Sequence, residues 1–546
     1  MTAAVYNGRI RLGRNNFCGA VLIDSGRIVK TGSSKDILHE AAGRAQTEKI
    51  DAQGALILPA FNDSHLHLMW LGRRAGSLEC SGAKSVDDII RLGREYLKTR
   101  SVLQGSYIQG YGVNPDFFTE GEKRDLCRDD LDKISCSNPV ILSRHCGHTV
   151  YCNSMALDLA GMARSAPEVE GGTIEKDSGG RPTGVIRENA GRLIQKPIPP
   201  YSAAQMRDFI SLAMKKVHSA GMTSCGSYDS DGEDFQDIVA AYTGVYKDMA
   251  EAGVPGLRVT MQCGISLSDD ILRQRLKTPT GTIFWENGEW GTFLKMGAVK
   301  IFADGTLGGR TAWMSRPYMD SPGNSGFSLL DRETLNRFVK RSCESGTQVL
   351  VHAIGDACAD EVTSAFEKVI SGGENTLRHG IVHCQFTSGK LLQRMAQNRI
   401  LALVQPVFLA DDLQVIKGRI APDIAQNSYA WGSMASLGIP VSYSTDAPVT
   451  SHDPLTCIQW AVTRRAPGST QAFNPGECVD TDTAFEAYTQ GPAFCAFAEN
   501  SLGRIAPGYL ADLVFLGTDI FAGSPDEIRN AKVLRTMCAG KTVYQV

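Results

Sequence analysis

The sequence contains no long apolar run, no strong excess of charge of either sign and no regular frame of cysteines. No stretch approaches the roughly 18 apolar residues that a membrane-spanning helix needs, so we expect no membrane association. The 56 basic and 59 acidic residues give a formal net charge of -3, which offers no reason to expect nucleic acid as a partner. The 15 cysteines are scattered and odd in number, which favours reduced thiols in an intracellular protein.

The first residues of the chain also lack a basic segment followed by an apolar one. We therefore expect no signal peptide and a cytoplasmic location. What is present is an ordinary globular composition, with 42% hydrophobic and 21% charged residues in a chain of 546. That length suits one large catalytic unit with a smaller satellite.

An apolar run at residues 56–61 ends in a group of polar side chains that includes Asp63, His65 and His67. Alternate side chains of a strand point the same way, so these three share one face. Two imidazoles that project from one strand end can bind a divalent cation of the zinc type. We interpret the stretch as the first half of a metal site, with two packed or solvated histidines as the alternative.

The middle of the chain alternates between strand and helix patterns. Asp331–Ser345 and Asp360–Ser371 each begin with a capping aspartate and place apolar residues on one stripe. Such alternation is typical of parallel α/β architecture, and eight strands predict a closed (β/α)8 TIM-like barrel. The predicted strands are Leu56–Ser64, Met222–Ser227, Leu257–Cys263, Met296–Ala303, Gln348–Val351, Gly380–Val382, Ile400–Val404 and Pro440–Thr445.

Short β segments lie at both ends of the chain. Ala20–Ile23 and Arg27–Lys30 flank a turn and predict a hairpin, and residues 503–516 have strand, turn and strand character. We expect residues 1–55 and 496–546 to form one small β-sandwich domain beside a barrel domain at residues 56–495. Two independent surface ribbons are the alternative.

About 150 residues separate the first predicted strand from the second, which is too long for a loop. We expect an inserted subdomain at residues 70–215. It would extend from the C-terminal rim of the barrel, where the active site of this fold lies. The segment contains His148 and Glu188, so we expect it to cover the pocket and to shape substrate choice.

Lys300 lies on the predicted fourth strand, on the face opposite Val299 and Ile301. If the apolar face packs against the helices, Lys300 points into the barrel, where burial and nearby cations favour a neutral amine. A neutral amine can react with carbon dioxide to give a carbamate, which can bridge two metals. A lysine paired with Asp304 is the alternative.

Three further ionisable side chains end predicted strands. His352 and His383 each follow an apolar run, as His65 does, and Asp446 ends the last strand. His379 lies at the start of its strand, so we interpret it as structural. The combined set on strands one, four, five, six and eight predicts a metal site built from His65, His67, Lys300, His352, His383 and Asp446.

This set resembles the metal-binding pattern of the amidohydrolase superfamily, and more narrowly that of the amidohydrolase-3, or YtcJ-like, group. The resemblance covers nearly the whole chain and includes a terminal segment at residues 503–514 that is similar to part of the superfamily's small β-domain. The other matching stretches are residues 59–67, 147–157, 182–188, 300–308, 351–356 and 444–448.

The resemblance implies a role for each residue of the set. His65 and His67 would bind the more buried of two metals, most simply zinc, and His352 and His383 would bind the second. Lys300, carboxylated by carbon dioxide, would bridge the two ions. Asp446 would bind the first ion and move a proton.

Other residues have less defined roles. Glu188 competes with Lys300 for the bridging role, because a carboxylate can also span two metals. His148, Glu188, Arg310 and Trp313 are candidate substrate contacts, although Arg310 in the segment 309–311 can equally close a turn.

These observations predict a cytoplasmic, binuclear metal-dependent hydrolase of a C–N bond in an amide, N-acyl or N-formyl substrate. The alternatives are a cyclic amidine deaminase-type hydrolase with one metal and a non-catalytic binding protein on the same fold. The sequence leaves the substrate, the metal and the oligomeric state open, with a homodimer as one option.

Overall fold

The computed structural model describes residues 2–44, 46–119, 123–144, 149–169, 172–229, 234–264, 283–466 and 468–546. The chain divides into two compact units, one formed by Met1–Met69 with Ala213–Val546 and the other by Trp70–Leu212. Among the described residues, no helix is both long and apolar enough to cross a membrane.

The first unit contains a near-closed barrel of eight parallel strands. The edge strands meet where Asp446 N donates to His65 O at 2.9 Å and His67 N donates to Ala447 O at 2.8 Å. The predicted strand order is confirmed, because each strand pairs with the next along the chain. The strands are Phe61–Leu66, Met222–Tyr228, Arg258–Gly264, Gly291–Phe302, Val349–Ala353, Gly380–His383, Leu401–Val404 and Val441–Tyr443, and Ile283–Asn287 pairs antiparallel with the fourth.

The predicted first strand, Leu56–Ser64, is wrong in one respect. The structure divides this run into Leu56–Pro59, which pairs with Leu513–Leu516 in a different sheet, and the barrel strand Phe61–Leu66. At the change of partner, Ala60 N donates to Asp512 O and Phe61 N donates to Gly221 O. Both pieces are buried throughout, so the apolar pattern alone could not separate them.

Helices accompany the barrel strands. The helix predicted from Asp331 is confirmed as Arg332–Glu344, and the Asp331 side chain accepts a hydrogen bond from Thr334 N. The helix predicted from Asp360 begins earlier, at Asp356, and Gly355 precedes it without a side-chain cap. Asp360 lies inside that helix, and its carboxylate pairs with Arg394 at 2.6 Å instead of capping a terminus.

The helices of the first unit and of its boundaries are Ser34–Ala42, Leu68–Gly76, Ala203–Ser219, Phe235–Glu251, Arg332–Glu344, Asp356–Glu367, Gly389–Gln397, Leu409–Arg419, Pro422–Ala425, Trp431–Ser436, Pro454–Thr463, Thr481–Ala487 and Gln490–Cys495. Short 3-10 turns follow at Pro406–Phe408, Pro475–Glu477 and Pro525–Asn530.

Two further sheets belong to the first unit. One has four strands and contains the predicted hairpin, which is confirmed, since Ala20–Asp24 pairs antiparallel with Arg27–Gly32. The other has six strands and combines segments from both ends of the chain. The four strands are Thr2–Tyr6, Ala20–Asp24, Arg27–Gly32 and Glu48–Asp51, and the six are Arg9–Gly13, Asn16–Cys18, Leu56–Pro59, Leu513–Leu516, Val533–Cys538 and Lys541–Gln545.

A single apolar cluster joins these two sheets. It contains Val5 and Val21 from the four-stranded sheet and Ile57, Phe515 and Met537 from the six-stranded sheet. All five side chains are almost fully buried, and burying each such side chain stabilises a fold by about 1.5–3 kcal/mol.

The second unit is built around its own six-stranded sheet. Apolar clusters lie on both sides of it, one centred on Ile89, Ile108 and Leu142 and one on Ile141 and Ile186. Its strands are Leu78–Glu79, Ile108–Val113, Val140–Arg144, Thr149–Cys152, Gly172–Lys176 and Pro182–Glu188, and its shorter elements are the helices Val86–Arg100, Arg128–Asp132, Ser154–Leu159 and Gly191–Gln195 and the 3-10 turn Pro115–Phe117.

Candidate metal centre

The six predicted ligands lie at or near the C-terminal ends of barrel strands. In a parallel barrel these ends form one rim, so residues distant in sequence come together there. The positions are near the end of Phe61–Leu66 for His65 and His67, in Gly291–Phe302 for Lys300, in Val349–Ala353 for His352, at the end of Gly380–His383 for His383 and after Val441–Tyr443 for Asp446.

Three of the six form a compact cluster. One ligand atom each from His65, His383 and Asp446 lies within 4.8 Å of the other two, and all three residues are buried. Asp446 Oδ1 is 3.4 Å from His65 Nε2 and 3.2 Å from His67 Nε2. His383 therefore joins residues that the sequence resemblance placed on a different ion.

A glutamine fixes the tautomer of His65. Gln262 Nε2 donates to Ser64 O at 2.9 Å, and since that carbonyl can only accept, the amide oxygen of Gln262 faces the histidine. The oxygen lies 2.7 Å from His65 Nδ1, so Nδ1 carries the proton. The lone pair of neutral His65 is then on Nε2, which faces Asp446.

His383 is held in the same way by Gln405. Gln405 Nε2 donates to Leu403 O at 3.1 Å and to Ser444 Oγ at 2.7 Å, which leaves its amide oxygen 2.8 Å from His383 Nδ1. Nε2 of His383 is thus the nitrogen with an available lone pair. The two glutamines thus leave Nε2 of each histidine unprotonated, as a metal ligand must be.

The electrostatics agree with this assignment. Burial, followed by the positive charge of Lys300, lowers the pKa of His65 to about 3. Burial and the neighbouring His352 lower the pKa of His383 well below its ordinary value. Burial would raise the pKa of Asp446, but the neighbouring histidines, first of all His67 through a hydrogen bond, outweigh it, and the net shift is downward.

His352 and Lys300 lie beside the cluster. The His352 ring is 4.4 Å from the His383 ring between centroids, and His352 Nε2 lies 3.0 Å from Gly305 O. A carbonyl only accepts, so Nε2 of His352 carries the proton and Nδ1 has the lone pair. Lys300 is 1% exposed, and its Nζ lies 3.9 Å from the centroid of the Phe302 ring.

Two of the cluster residues have unusual backbone conformations. His383 has a φ of 76° and Asp446 has a φ of 56°, in the left-handed region that residues other than glycine rarely adopt. Such conformations persist where the surroundings impose them, and they concentrate at functional sites. Here they turn both side chains away from regular strand alternation.

Asp63 is buried like the histidines, but its carboxylate bonds to protein backbone and hydroxyl groups. Its Oδ1 accepts from His65 N at 3.0 Å, and its Oδ2 accepts from Thr445 N, Thr445 Oγ1 and Tyr488 OH at 2.9, 2.7 and 2.7 Å. Burial raises its pKa to about 7, against the lowering effect of these hydrogen bonds. Asp63 thus links the first and last barrel strands.

Asp304 is likewise occupied by the backbone. Its carboxylate accepts hydrogen bonds from Trp313 N at 3.0 Å, Ile354 N at 3.0 Å and Gly355 N at 2.8 Å. A Cβ on Gly355 would lie 2.0 Å from Trp313 O, so only glycine allows this close approach. Asp304 therefore ties the loop after the fourth strand to the end of the fifth.

The candidate substrate contacts differ in their surroundings. Arg310 is half-buried and makes a bidentate ion pair with Asp320 at 3.0 and 2.7 Å, and Trp313 is half-buried. Glu188 is an exposed residue at the end of a strand in the second unit. His148 lies outside the described residues.

The sequence interpretation missed Gln262 and Gln405. Gln262 lies two residues before the end of its buried barrel strand and Gln405 directly follows the end of another, which is the signal that singled out the histidines. His379, interpreted as structural, is buried, accepts from Val349 N at 3.0 Å and stacks on Phe366.

The chain matches known proteins along most of its length. It is 33% identical to the putative amidohydrolase YtcJ of Bacillus subtilis, over 96% of each chain, and 24% identical to the N-substituted formamide deformylase of Arthrobacter pascens, over 99% of this chain and 98% of that one. A solved metal-dependent hydrolase from Pyrococcus furiosus, 27% identical, covers 95% of this chain and 100% of its own with a TM-score of 0.77. The amidohydrolase family model matches residues 48–544, and the chain therefore belongs to the amidohydrolase family of metal-dependent hydrolases.

Proposed function

We propose that this protein hydrolyses a C–N bond in an amide-like substrate, of the N-acyl or N-formyl class, at a metal centre on the barrel rim. The observation that carries the proposal is the arrangement of His65, His383 and Asp446. Their ligand atoms lie within 4.8 Å of one another, and each histidine carries its proton on Nδ1, which faces a glutamine and not the cluster.

This arrangement fits a divalent cation. The lone pair of His65 Nε2 faces a carboxylate oxygen of Asp446 at 3.4 Å. Two lone pairs that face each other repel unless a positive charge lies between them. Imidazole nitrogen with carboxylate oxygen is a ligand set that zinc accepts, and an open position on such an ion is typical of a catalytic site.

When bound, a divalent metal lowers the pKa of water to about 7 and polarises the carbonyl of the substrate. Asp446 would accept a proton at its carboxylate and return it to the leaving nitrogen. Gln262 and Gln405 orient His65 and His383 so that both ligands keep their geometry through the reaction. Burial of the cluster excludes bulk water from these side chains.

We further propose two zinc ions per chain, held by the six residues of the predicted set. Lys300, carboxylated on Nζ, would bridge them, and its burial beside the charged cluster supports that role. His352, whose lone pair is on Nδ1, would bind the second ion. Glu188 stays the competing bridge, and His148, Glu188, Arg310 and Trp313 stay candidate substrate contacts.

A single-metal deaminase of the same superfamily is the second candidate. The compactness of the His65, His383 and Asp446 cluster favours it, because three ligands from one cluster suffice for one ion. Similarity to the N-substituted formamide deformylase instead supports the first candidate, an amide-like substrate with a carbonyl group. A binding protein without catalysis would also keep the fold.

The domain organisation follows the same division of the chain into terminal and central segments. We propose that residues 1–55 and 496–546 form a small β-sandwich domain beside a barrel at 56–495, with 70–215 as an inserted subdomain. The apolar cluster shared by the two terminal sheets supports the joint domain, with Leu56–Pro59 added to it. We also propose a cytoplasmic enzyme that acts on a small molecule, with a homodimer as an open option.

The test combines composition with activity. Elemental analysis of the purified chain should give about two zinc equivalents, and intact mass under native conditions should show one carbon dioxide adduct. A panel of formanilides, N-acyl amino acids and cyclic amidines should then show turnover of at least one amide. One metal per chain with turnover of amidines alone would select the deaminase, and no turnover of any member by metal-loaded protein would select the binding protein.

A further inference from the structure

A cavity of about 330 Å³ lies at the N-terminal end of the barrel. Its lining includes Asn62, Ser224 and Arg258, which stand at or near the beginnings of the first three barrel strands. The candidate metal ligands stand at the other ends of the strands. In this fold the N-terminal face ordinarily serves stability, so a cavity of ligand size there needs an explanation.

Three polar side chains from adjacent strands line the cavity, and none of them has a hydrogen-bond partner within the described residues. Asn62 is 6% exposed, and its side-chain amide makes no hydrogen bond to any described part of the chain. The hydroxyl groups of Ser224, which pairs with Asn62 in the sheet, and of Thr260 on the next strand also have none there. Polar groups that line a cavity and are not used by the protein can bond to a ligand, so this trio offers hydrogen bonds to a molecule in the cavity.

The cavity is positively charged. Arg27, Arg258 and Lys295 line it, and no aspartate or glutamate does so among the residues that the structure describes. Asp512 neutralises Arg258 through bonds of 2.8 and 3.1 Å. Lys295 donates to Ala496 O and Arg27 to Gly508 O, and in the described ranges neither forms an ion pair with a carboxylate.

The remaining walls are apolar. Phe293, Phe497, Leu502 and Leu510 line the same space. Burial lowers the pKa of Lys295 to about 8, which keeps the amine mostly protonated at neutral pH. A cationic group, an amide and two hydroxyls on one side with aromatic and aliphatic groups on the other suit a molecule with a charged head and an apolar body.

We propose that this cavity is a second ligand site, distinct from the metal centre, that binds a small monocarboxylic acid. The carboxylate would accept hydrogen bonds from Lys295 and Asn62, and the hydrocarbon part would pack against Phe293 and Leu510. The inference is independent of the reaction at the metal centre.

The test uses 4-fluorobenzoate as the probe, with binding to metal-loaded full-length protein followed by fluorine NMR. We expect saturable binding, and we expect the matched neutral probe 4-fluorobenzamide to bind at least tenfold more weakly. Lys295→Met and Asn62→Leu should each weaken 4-fluorobenzoate at least tenfold. Lys340→Met, which removes an exposed lysine elsewhere, should leave the affinity unchanged.

A fourth variant separates the two sites. His65→Asn alters the metal centre and should leave 4-fluorobenzoate binding unchanged, whatever it does to turnover. Absence of saturable binding, equal binding of the two probes, or binding that survives Lys295→Met and Asn62→Leu but is lost in His65→Asn would each overturn the proposal. If Lys295→Met fails to fold, Asn62→Leu decides, because leucine has the same branching and number of heavy atoms as asparagine and adds no charge.

Discussion

Gln262 lies 197 residues from His65 in sequence, yet its amide oxygen is 2.7 Å from His65 Nδ1. Gln405 makes the equivalent contact with His383 at 2.8 Å. These two contacts decide which nitrogen of each histidine faces the cluster. The proposed metal centre depends on these two tautomers.

We expect Gln262→Leu and Gln405→Leu each to weaken metal binding by about 10–100-fold, because outer partners of ligating histidines contribute that much. Leucine removes the acceptor at Nδ1 and frees the ring to take the other tautomer. Competition with a chromogenic chelator measures the affinity. Gln471→Leu, in an exposed loop, is the control and should keep wild-type affinity. Unchanged affinity in both cluster variants would remove the glutamines from the site.

Asp446→Asn should keep the metal and lose turnover. Asparagine retains one oxygen for the ion but cannot accept and return a proton, and loss of such a group costs about 10²–10⁴-fold in kcat. Metal content and kcat on the best amide of the panel measure the two effects. Asp526→Asn, at an exposed ion pair with Arg465, should change neither. Full activity in Asp446→Asn would refute the proton role.

Lys300→Met should reduce the metal content from two ions per chain to one or none. Methionine fills a similar volume but cannot form the bridging carbamate, so the second ion loses an anionic ligand. Elemental analysis and intact mass compare the variant with wild type, with Lys368→Met near the surface as the control. Two ions in the variant would transfer the bridging role to another residue, with Glu188 the first to test.

Asp63 has a pKa of about 7, so well above pH 7 it is a charged acceptor, and there Tyr488→Phe should destabilise the barrel by about 1.5–3 kcal/mol, the range for a hydrogen bond to such a group. The change removes the 2.7 Å bond to Asp63 Oδ2, which lies where the first and last strands meet. Urea unfolding measures the difference. Tyr544→Phe, on a half-exposed edge strand, is the comparison and should shift the midpoint little.

His379 should make stability depend on pH. Burial lowers its folded pKa to about 4, so between pH 6.5 and 4 the unfolded chain binds more protons and the folded state loses stability as the pH falls. The loss at pH 5 is about 2 kcal/mol relative to pH 7.5. His379→Gln keeps an acceptor for Val349 N and should lose about that much less over the same pH range. An identical pH profile for both proteins would show that His379 titrates normally.

Much of the barrel could be predicted from local pattern. The approximate positions of the eight strands follow from short apolar runs. The candidate histidines and Asp446 were found because they stand where those runs end. The pattern failed where neighbouring segments have the same character. Leu56–Pro59 and Phe61–Leu66 are both fully buried, and only their partners, Leu513–Leu516 and the second barrel strand, distinguish them.

The site shows the same limit. The sequence indicates which residues can bind a metal, but not that His383 lies with His65 and Asp446, because their distances depend on barrel closure and on left-handed backbone at two positions. Nor does it indicate Gln262 and Gln405, since a glutamine at a strand end is common. The start of the helix Asp356–Glu367 was missed because Asp360 offered a plausible cap, while the actual start follows Gly355.

An anomalous difference map of crystals grown with zinc, recorded on both sides of the zinc absorption edge, tests directly whether a metal binds on the barrel rim. We predict a zinc peak among His65, His383 and Asp446, with bonds of about 2.0–2.2 Å to Nε2 of both histidines and to the carboxylate. A map with no peak there, or with zinc bound only at other side chains, would show that these three residues do not form a metal centre.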